Sequence, residues 1–94
     1  MQTELYKNLS NLIMKEIASY DTALLGGLLC LGYRPERLQH NEENKERIEF
    51  VFKYSKKLEK DMADIKSGKT KFVAHELSLE LHSVRSRIKN FNNN

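Results

Sequence analysis

The sequence predicts an α+β fold in which a small antiparallel sheet of three to four short strands packs with about four helices. Residues 23–31 are all apolar or glycine, and such a run predicts a helix that protein covers on every face. Residues 48–53 alternate, with Ile48, Phe50 and Phe52 on one face of a strand, which predicts an antiparallel sheet with one packed face. Near the C-terminus, apolar residues recur every three or four positions, as in an amphipathic helix.

Length and composition predict a single small domain. The chain has 94 residues, of which 39% are hydrophobic and 31% charged, as in a soluble globular protein. The apolar run is about half the length that spans a bilayer, and the N-terminus has no signal-type segment, so we predict no membrane association and a cytoplasmic location. Cys30 is the one cysteine, which excludes an internal disulfide, and we interpret it as a small hydrophobic residue of the core.

Residues 1–14 are predicted to form an amphipathic N-terminal helix outside the compact domain. Leu5, Leu9 and Leu12 share one face of this helix, opposite polar residues. Because this apolar stripe needs cover, the three leucines are candidate contacts of a homodimer. The single compact domain then spans residues 15–91, and residues 92–94, all asparagine, are predicted to be a disordered tail.

Capping residues and glycines delimit the apolar helix. Residues 15–18 are predicted to be a short strand, followed by Ser19 as the helix N-cap and by Asp21 in the first turn. Gly32 suits the left-handed position that ends a helix. The glycine pair at 26–27 lies in mid-helix, where each glycine costs roughly 1 kcal/mol relative to alanine. We therefore expect another backbone to pack very close to this pair.

A polar loop separates two segments that are predicted to pair as a β-hairpin. The segments are residues 33–40 and 47–53. Glu42, Glu43 and Glu46 lie between them, and a solvated turn explains these carboxylates better than a catalytic dyad, which would require burial.

Two further helices complete the predicted fold. Ser55 caps the first of them, which Gly68 ends, and residues 69–73 form a short strand or an extended link. The last helix covers about residues 75–90. Its apolar face is formed by Leu77, Leu81, Val84, Ile88 and Phe91.

The order and spacing of these motifs resemble a small bacterial and phage family catalogued as a domain of unknown function. The resemblance covers most of the compact domain, but it departs at Gly26 and Gly27, where the family usually has alanines, and in the extra N-terminal helix. It implies a compact α+β module carried by phages and other mobile elements, and it implies no activity. The residues that carry it are Ser19, Asp21, Leu24, Leu28, Gly32, Tyr33, Phe50, Val51, Phe52, Gly68, Phe72, Val73 and Arg85.

The titratable residues favour a protein without enzymatic activity, metal or cofactor. His40, His75 and His82 are the histidines, and no two of them stand four residues apart. On a helix, His75 and His82 would lie about 10 Å apart along the axis, too far to share a metal ion. Cys30 has no neighbouring histidine, and its apolar setting would raise the pKa of the thiol rather than lower it. We therefore predict binding rather than catalysis.

Charge is unevenly distributed along the chain. Residues 1–52 carry six basic and eight acidic side chains, a net of −2, whereas residues 53–94 carry ten basic and five acidic ones, a net of +5. Basic side chains bind phosphates, and guanidinium groups do so with two hydrogen bonds. We predict a surface that binds a nucleic acid or a nucleoprotein, formed by Lys66, Lys69, Lys71, Arg85, Arg87 and Lys89.

Two alternatives remain open from the sequence. A lysine-rich surface would also suit an inhibitor that docks onto a host protein, such as a defence nuclease complex blocked by an anti-CRISPR-like protein. The N-terminal helix would suit a homodimeric structural or adaptor module. No helix-turn-helix is evident, because an extended segment separates the last two helices.

Overall fold

The computed structural model describes residues 15–93 and confirms the α+β class. The predicted helix over residues 2–14, with the dimer candidates Leu5, Leu9 and Leu12, lies outside these residues. The described elements follow in the order β1 (Glu16–Ser19), α1 (Thr22–Cys30), β2 (Arg37–His40), β3 (Ile48–Lys53), α2 (Lys56–Lys66) and α3 (Ala74–Asn92).

The three strands form an antiparallel sheet in the order β1-β3-β2. In the central strand β3, Phe50 lies opposite Ser19 of β1 and Leu38 of β2. The predicted hairpin is confirmed as the β2–β3 pair, but β2 begins only at Arg37. Residues 33–36 follow another path, because the Arg34 guanidinium donates hydrogen bonds to the carbonyls of Leu29 and Tyr33 at the end of α1.

The predicted N-cap of α1 is wrong by two residues. The carboxylate of Asp21, not the hydroxyl of Ser19, accepts a hydrogen bond from an amide of the first turn, that of Leu24, at 3.2 Å. The Ser19 hydroxyl accepts instead from the Asp21 amide at 3.1 Å. Ser19 therefore positions the capping residue, and the helix begins at Thr22. Its predicted end is confirmed, since Gly32 has a φ of 96°.

Helix α1 is the centre of the core, as the sequence predicts. Six consecutive residues, Leu24 to Leu29, are buried. They pack with Phe50 and Phe52 of β3, Leu58 of α2 and Val84 of α3. Since protein surrounds this helix on every side, its sequence lacks the polar stripe of a surface helix.

The glycine pair of α1 meets side chains, so the expectation of a closely packed second backbone is wrong. A Cβ on Gly26 would lie 2.5 Å from Cδ2 of Leu81 in α3. A Cβ on Gly27 would lie 3.0 Å from Cζ of Phe72 and 3.1 Å from Cδ1 of Ile65. The two glycines therefore make room for large side chains from two different directions.

Helix α2 has the predicted boundaries. The Ser55 hydroxyl accepts from the Leu58 amide at 3.0 Å, and Gly68 follows the last turn with a φ of 78°. Residues 69–73 are an extended link rather than a strand. Helix α3 then continues through Asn92, two residues beyond its predicted end and into the predicted tail. Phe91 in its last turn packs against His40 of β2, with ring centroids 5.3 Å apart.

The outer face of the sheet carries polar side chains, but one of its residues is an apolar, buried valine. The alternation of β3 predicts one packed face and one face in water, yet Val51 points to the outer face and is only 1% exposed. Arg37 of β2 forms two hydrogen bonds with Glu16 of β1, at 2.7 and 2.8 Å, and this ion pair spans the central strand beside Val51. Further hydrogen bonds link Arg37 to Gln39 and Gln39 to Glu49.

Candidate functional site

One side of α3 presents a row of basic residues to solvent. His75, Ser78, His82, Arg85 and Lys89 follow one another at intervals of three or four residues, and all five are exposed. Residues at these intervals share one side of an α-helix, so the row extends for about 21 Å along the axis. We call these five residues the basic face.

The packing of α3 explains why the basic face points outward. Leu77 and Leu81 pack against Gly26 of α1, where a larger residue would leave no room for them. Val84 is fully buried in the core. Ile88 packs against the same core one turn later. These apolar residues fix the rotation of α3 about its axis, which leaves the basic face, centred about 110° around the helix from them, exposed.

The basic face contains no carboxylate. The acidic residues of α3 are Glu76 and Glu80, and both lie on the other flank of the helix, beside the end of α1. The ion pairs within residues 15–93 are Arg37–Glu16, Lys57–Asp61 and Lys60–Asp64, none of which includes a residue of the basic face. Its cations are therefore not neutralised by carboxylates of the described chain.

The structure brings together only part of the predicted phosphate-binding set. Arg85 and Lys89 lie one turn apart on the basic face. Arg87 lies about 160° around the helix from both of them, and its Nε donates a hydrogen bond to the Ser83 hydroxyl at 3.3 Å. It is half-buried and points away from the face.

The three predicted lysines lie at the other end of α3. Lys66 is the last residue of α2, and Lys69 and Lys71 are exposed in the link that precedes Ala74. From Ala74 to Arg85 the helix rises by about 17 Å. Five of the six predicted residues therefore form two groups, with His75 and His82 between them, and Arg87 lies apart from both.

His75, Ser78 and His82 were missed as part of a binding surface. From the sequence, the histidines were tested only as metal ligands. The signal that identifies the face is the seven-residue interval of His75, His82 and Lys89, which two turns of a helix place on one side.

A second surface feature is a cleft of about 310 Å³ between the end of α1 and the first half of α3. Leu79 at its rim is 57% exposed. Burial raises the pKa of the Cys30 thiol, as predicted, and the charges of Glu80 and Glu76 raise it further. Cys30 is half-buried in the cleft wall rather than enclosed in the core. The lining residues are Leu29, Cys30, Gly32, Arg34, Glu76, Leu79 and Glu80.

A polar cluster links the chain after α1 to α2. The Tyr33 hydroxyl donates to the Asp61 carboxylate at 2.7 Å, and Lys57 lies 3.3 Å from the same oxygen. The hydrogen bond from Tyr33, with that from Lys57, lowers the pKa of Asp61. Burial and the bond to Asp61 raise the pKa of Tyr33. The pKa of the Asp61 carboxyl is lowered and that of the Tyr33 hydroxyl is raised, so both pKa values move away from neutral pH. The cluster therefore acts as a structural link between α2 and the chain after α1.

Metal-binding clusters and membrane-spanning helices are both absent from residues 15–93. No group of three or more histidine, cysteine or carboxylate side chains is placed to hold a metal ion there. None of the helices in this part of the chain combines the length and the apolar composition needed to cross a membrane.

Comparison with known proteins gives no relative: the chain matches no protein-family model, and no curated protein or solved structure matches it either. The resemblance to the phage and bacterial family therefore stays a prediction from the motifs.

Proposed function

We propose that this protein is a non-enzymatic binding module, and that the basic face of α3 binds the phosphates of a nucleic acid or nucleoprotein. The observation that carries the proposal is the composition of that face, where Arg85, Lys89, two histidines and one serine recur at exposed positions three or four residues apart. The two charged side chains attract a polyanion and release its counterions on binding, and the other three add hydrogen-bonding groups.

The geometry suits a ligand with repeated charges. A single phosphate would need several donors converging on one point. On the basic face, the side chains are instead spread over about 21 Å in a line. Phosphates of a nucleic acid also form an extended row, so each cation can contact a different one.

The proposal is tested by fluorescence anisotropy with a labelled mixed-sequence DNA duplex and the full chain at low salt. Arg85→Ala, which removes a cation from the basic face, should weaken binding severalfold, because one phosphate contact is lost. Arg87→Ala is the matched control, since it removes the same charge two residues away on the other side of the same helix. It should leave the affinity nearly unchanged.

Three outcomes would refute the proposal for this face. Wild-type protein that binds neither DNA nor RNA at low salt would exclude the function. Equal losses for Arg85→Ala and Arg87→Ala would mean that net charge, and not the basic face, determines affinity. A larger loss for Arg87→Ala would place the site on the other flank. Circular dichroism of both variants shows that they remain folded.

The cleft favours a second candidate function, that of an inhibitor bound to a host protein such as a defence nuclease complex. Its rim exposes the apolar side chain of Leu79 beside the carboxylates of Glu76 and Glu80. Exposed apolar surface with a polar rim is common in protein interfaces. Affinity purification from host cells with wild type and Leu79→Ser separates the two functions. A partner protein that is lost with Leu79→Ser but retained with Arg85→Ala would support the inhibitor.

A further inference from the structure

We infer that the ligand of the basic face is duplex DNA in the B form, with α3 lying in the major groove. This inference rests on the proposed function and adds to it the class of nucleic acid and the groove. It is drawn from the shape of the exposed side of α3, the donors on it, and the position of the described aromatic residues.

Shape is the first argument. The residues of α3 exposed to solvent include Leu79, Asn90 and, at one edge, Glu76 as well as the basic face, and together they cover about half of the helix circumference. An α-helix with its side chains is about 10–12 Å wide, and the major groove of B-DNA is about 12 Å wide. The exposed side of α3 can therefore enter this groove while its apolar side stays packed on α1.

The order of the side chains along α3 is the second argument. His75, Ser78, His82 and Arg85 carry hydrogen-bonding groups that can reach base edges, and arginine pairs with guanine O6 and N7 in the major groove. Lys71, just before α3, and Lys89, in its last turn, stand at the two ends of this row. Cations at both ends of a helix can contact the phosphates that border the groove.

The basic face offers few rings to a single-stranded ligand, whose bases stack on exposed aromatic side chains. Tyr20 is 47% exposed, but it precedes α1, and its ring lies against Arg47, which is not part of the basic face. The basic face has no aromatic residue besides its two histidines. The rings of Tyr33 and Tyr54 face Lys57 and Lys15, and Phe91 packs against His40. A duplex of RNA fits no better, because its major groove is deep and too narrow for a helix.

The first experiment compares three ligands of one mixed sequence and one length: duplex DNA, duplex RNA and single-stranded DNA. Anisotropy is measured with the full chain at one salt concentration. We expect duplex DNA to bind at least about tenfold more tightly than either of the others. Similar affinity for all three would overturn this inference but leave phosphate binding intact. Absence of binding to all three would instead refute the proposed function.

The second experiment identifies the groove. Dimethyl sulfate methylates guanine N7 in the major groove, so α3 in that groove should protect N7 from methylation, and Arg85→Ala should reduce the protection. The minor-groove ligand distamycin should not displace the protein. Displacement by distamycin without N7 protection would place the protein in the minor groove and overturn the inference. Arg87→Ala is the control variant and should protect N7 as the wild type does.

Discussion

Asp21 shows how a single side chain sets the start of the central helix. Its carboxylate accepts from the Leu24 amide, while Ser19 only supports Asp21. We predict that Asp21→Ala lowers the free energy of unfolding by about 1 kcal/mol, the usual cost of losing an N-cap. Ser19→Ala should cost less. Urea denaturation of the two variants measures the difference, and a larger loss for Ser19→Ala would contradict the capping geometry.

Tyr33 and Asp61 predict a pH dependence of stability. Tyr33→Phe removes the hydrogen bond to Asp61 and should lower the free energy of unfolding only slightly at neutral pH, because solvent screens this exposed pair. The folded pKa of Asp61 is lowered, so its contribution exists above the ordinary aspartate pKa and is lost as pH falls through the lowered value. The folded pKa of Tyr33 is raised, so its contribution exists below the ordinary tyrosine pKa and is lost as pH rises through the raised value.

The stability difference between wild type and Tyr33→Phe should therefore be largest near neutral pH and decrease at both extremes. Thermal unfolding followed by circular dichroism across the pH range measures it. In the variant, NMR titration should show the pKa of Asp61 shifted back toward its ordinary value. A difference that does not change with pH would mean that the ring of Tyr33 matters only through its packing.

Residue-scale features divide into those that the sequence predicts and those that it does not. Ser55 and Gly68 were predicted correctly because caps and helix-ending glycines act within a few residues of the chain. The choice between Ser19 and Asp21 was not predicted, because both residue types are common N-caps and they stand two positions apart. The Tyr33–Asp61 bond joins positions 28 residues apart and depends on how α1 and α2 pack.

At the scale of elements, the fit between α1 and α3 depends on Gly26 and Leu81. We predict that Gly26→Ala destabilises the protein by about 1 kcal/mol, because overpacking against Leu81 costs more than the roughly 1 kcal/mol gained in helix propensity. In a Leu81→Ala background, where that side chain is absent, Gly26→Ala should instead be stabilising. Urea denaturation of this double-mutant cycle tests the reversal of sign. Equal effects in both backgrounds would show that the two positions do not contact each other.

The elements themselves were largely predictable, and their pairing was less so. The types of β3, α2 and α3 follow from apolar periodicity, because the apolar positions mark the buried side, and that of α1 follows from its uninterrupted apolar run. The position of β3 between β1 and β2 was not predicted. Residues 16–19 pair with residues 50–53, and no local sequence pattern indicates a pairing between segments so far apart in the chain. The burial of Val51 was likewise not predicted, and the Arg37–Glu16 ion pair beside it joins two strands separated by β3 in the sheet.

For the whole molecule, the predicted basic surface stays a prediction, and the structure shows which of its residues share one side of α3. The charge excess of residues 53–94 pointed to α3 and the link before it. Which cations share a side depends on the rotation of α3, and that rotation is set by the contact of Leu77 and Leu81 with Gly26. This contact places Arg85 with Lys89, excludes Arg87, and adds the two histidines.

The salt dependence of binding provides a prediction for the whole surface. The double variant Arg85→Ala/Lys89→Ala removes two cations from the basic face, so the slope of log affinity against log salt should decrease by about 1.8 for duplex DNA. Lys45→Ala/Lys56→Ala removes the same charge from exposed positions in the β2–β3 loop and at the start of α2. This control should leave the slope nearly unchanged. An equal decrease in both would indicate attraction by net charge alone.

The central claim is that the basic face of α3 is where the protein meets its ligand. The most direct test is an NMR titration of the ¹⁵N-labelled full chain with duplex DNA. We predict that the largest amide shift changes occur along α3 at His75, Ser78, His82, Arg85 and Lys89, with little change in β2. Changes centred on Cys30 and Gly32 at the cleft, or on Arg37 and Gln39 at the outer face of the sheet, without changes along α3, would contradict it.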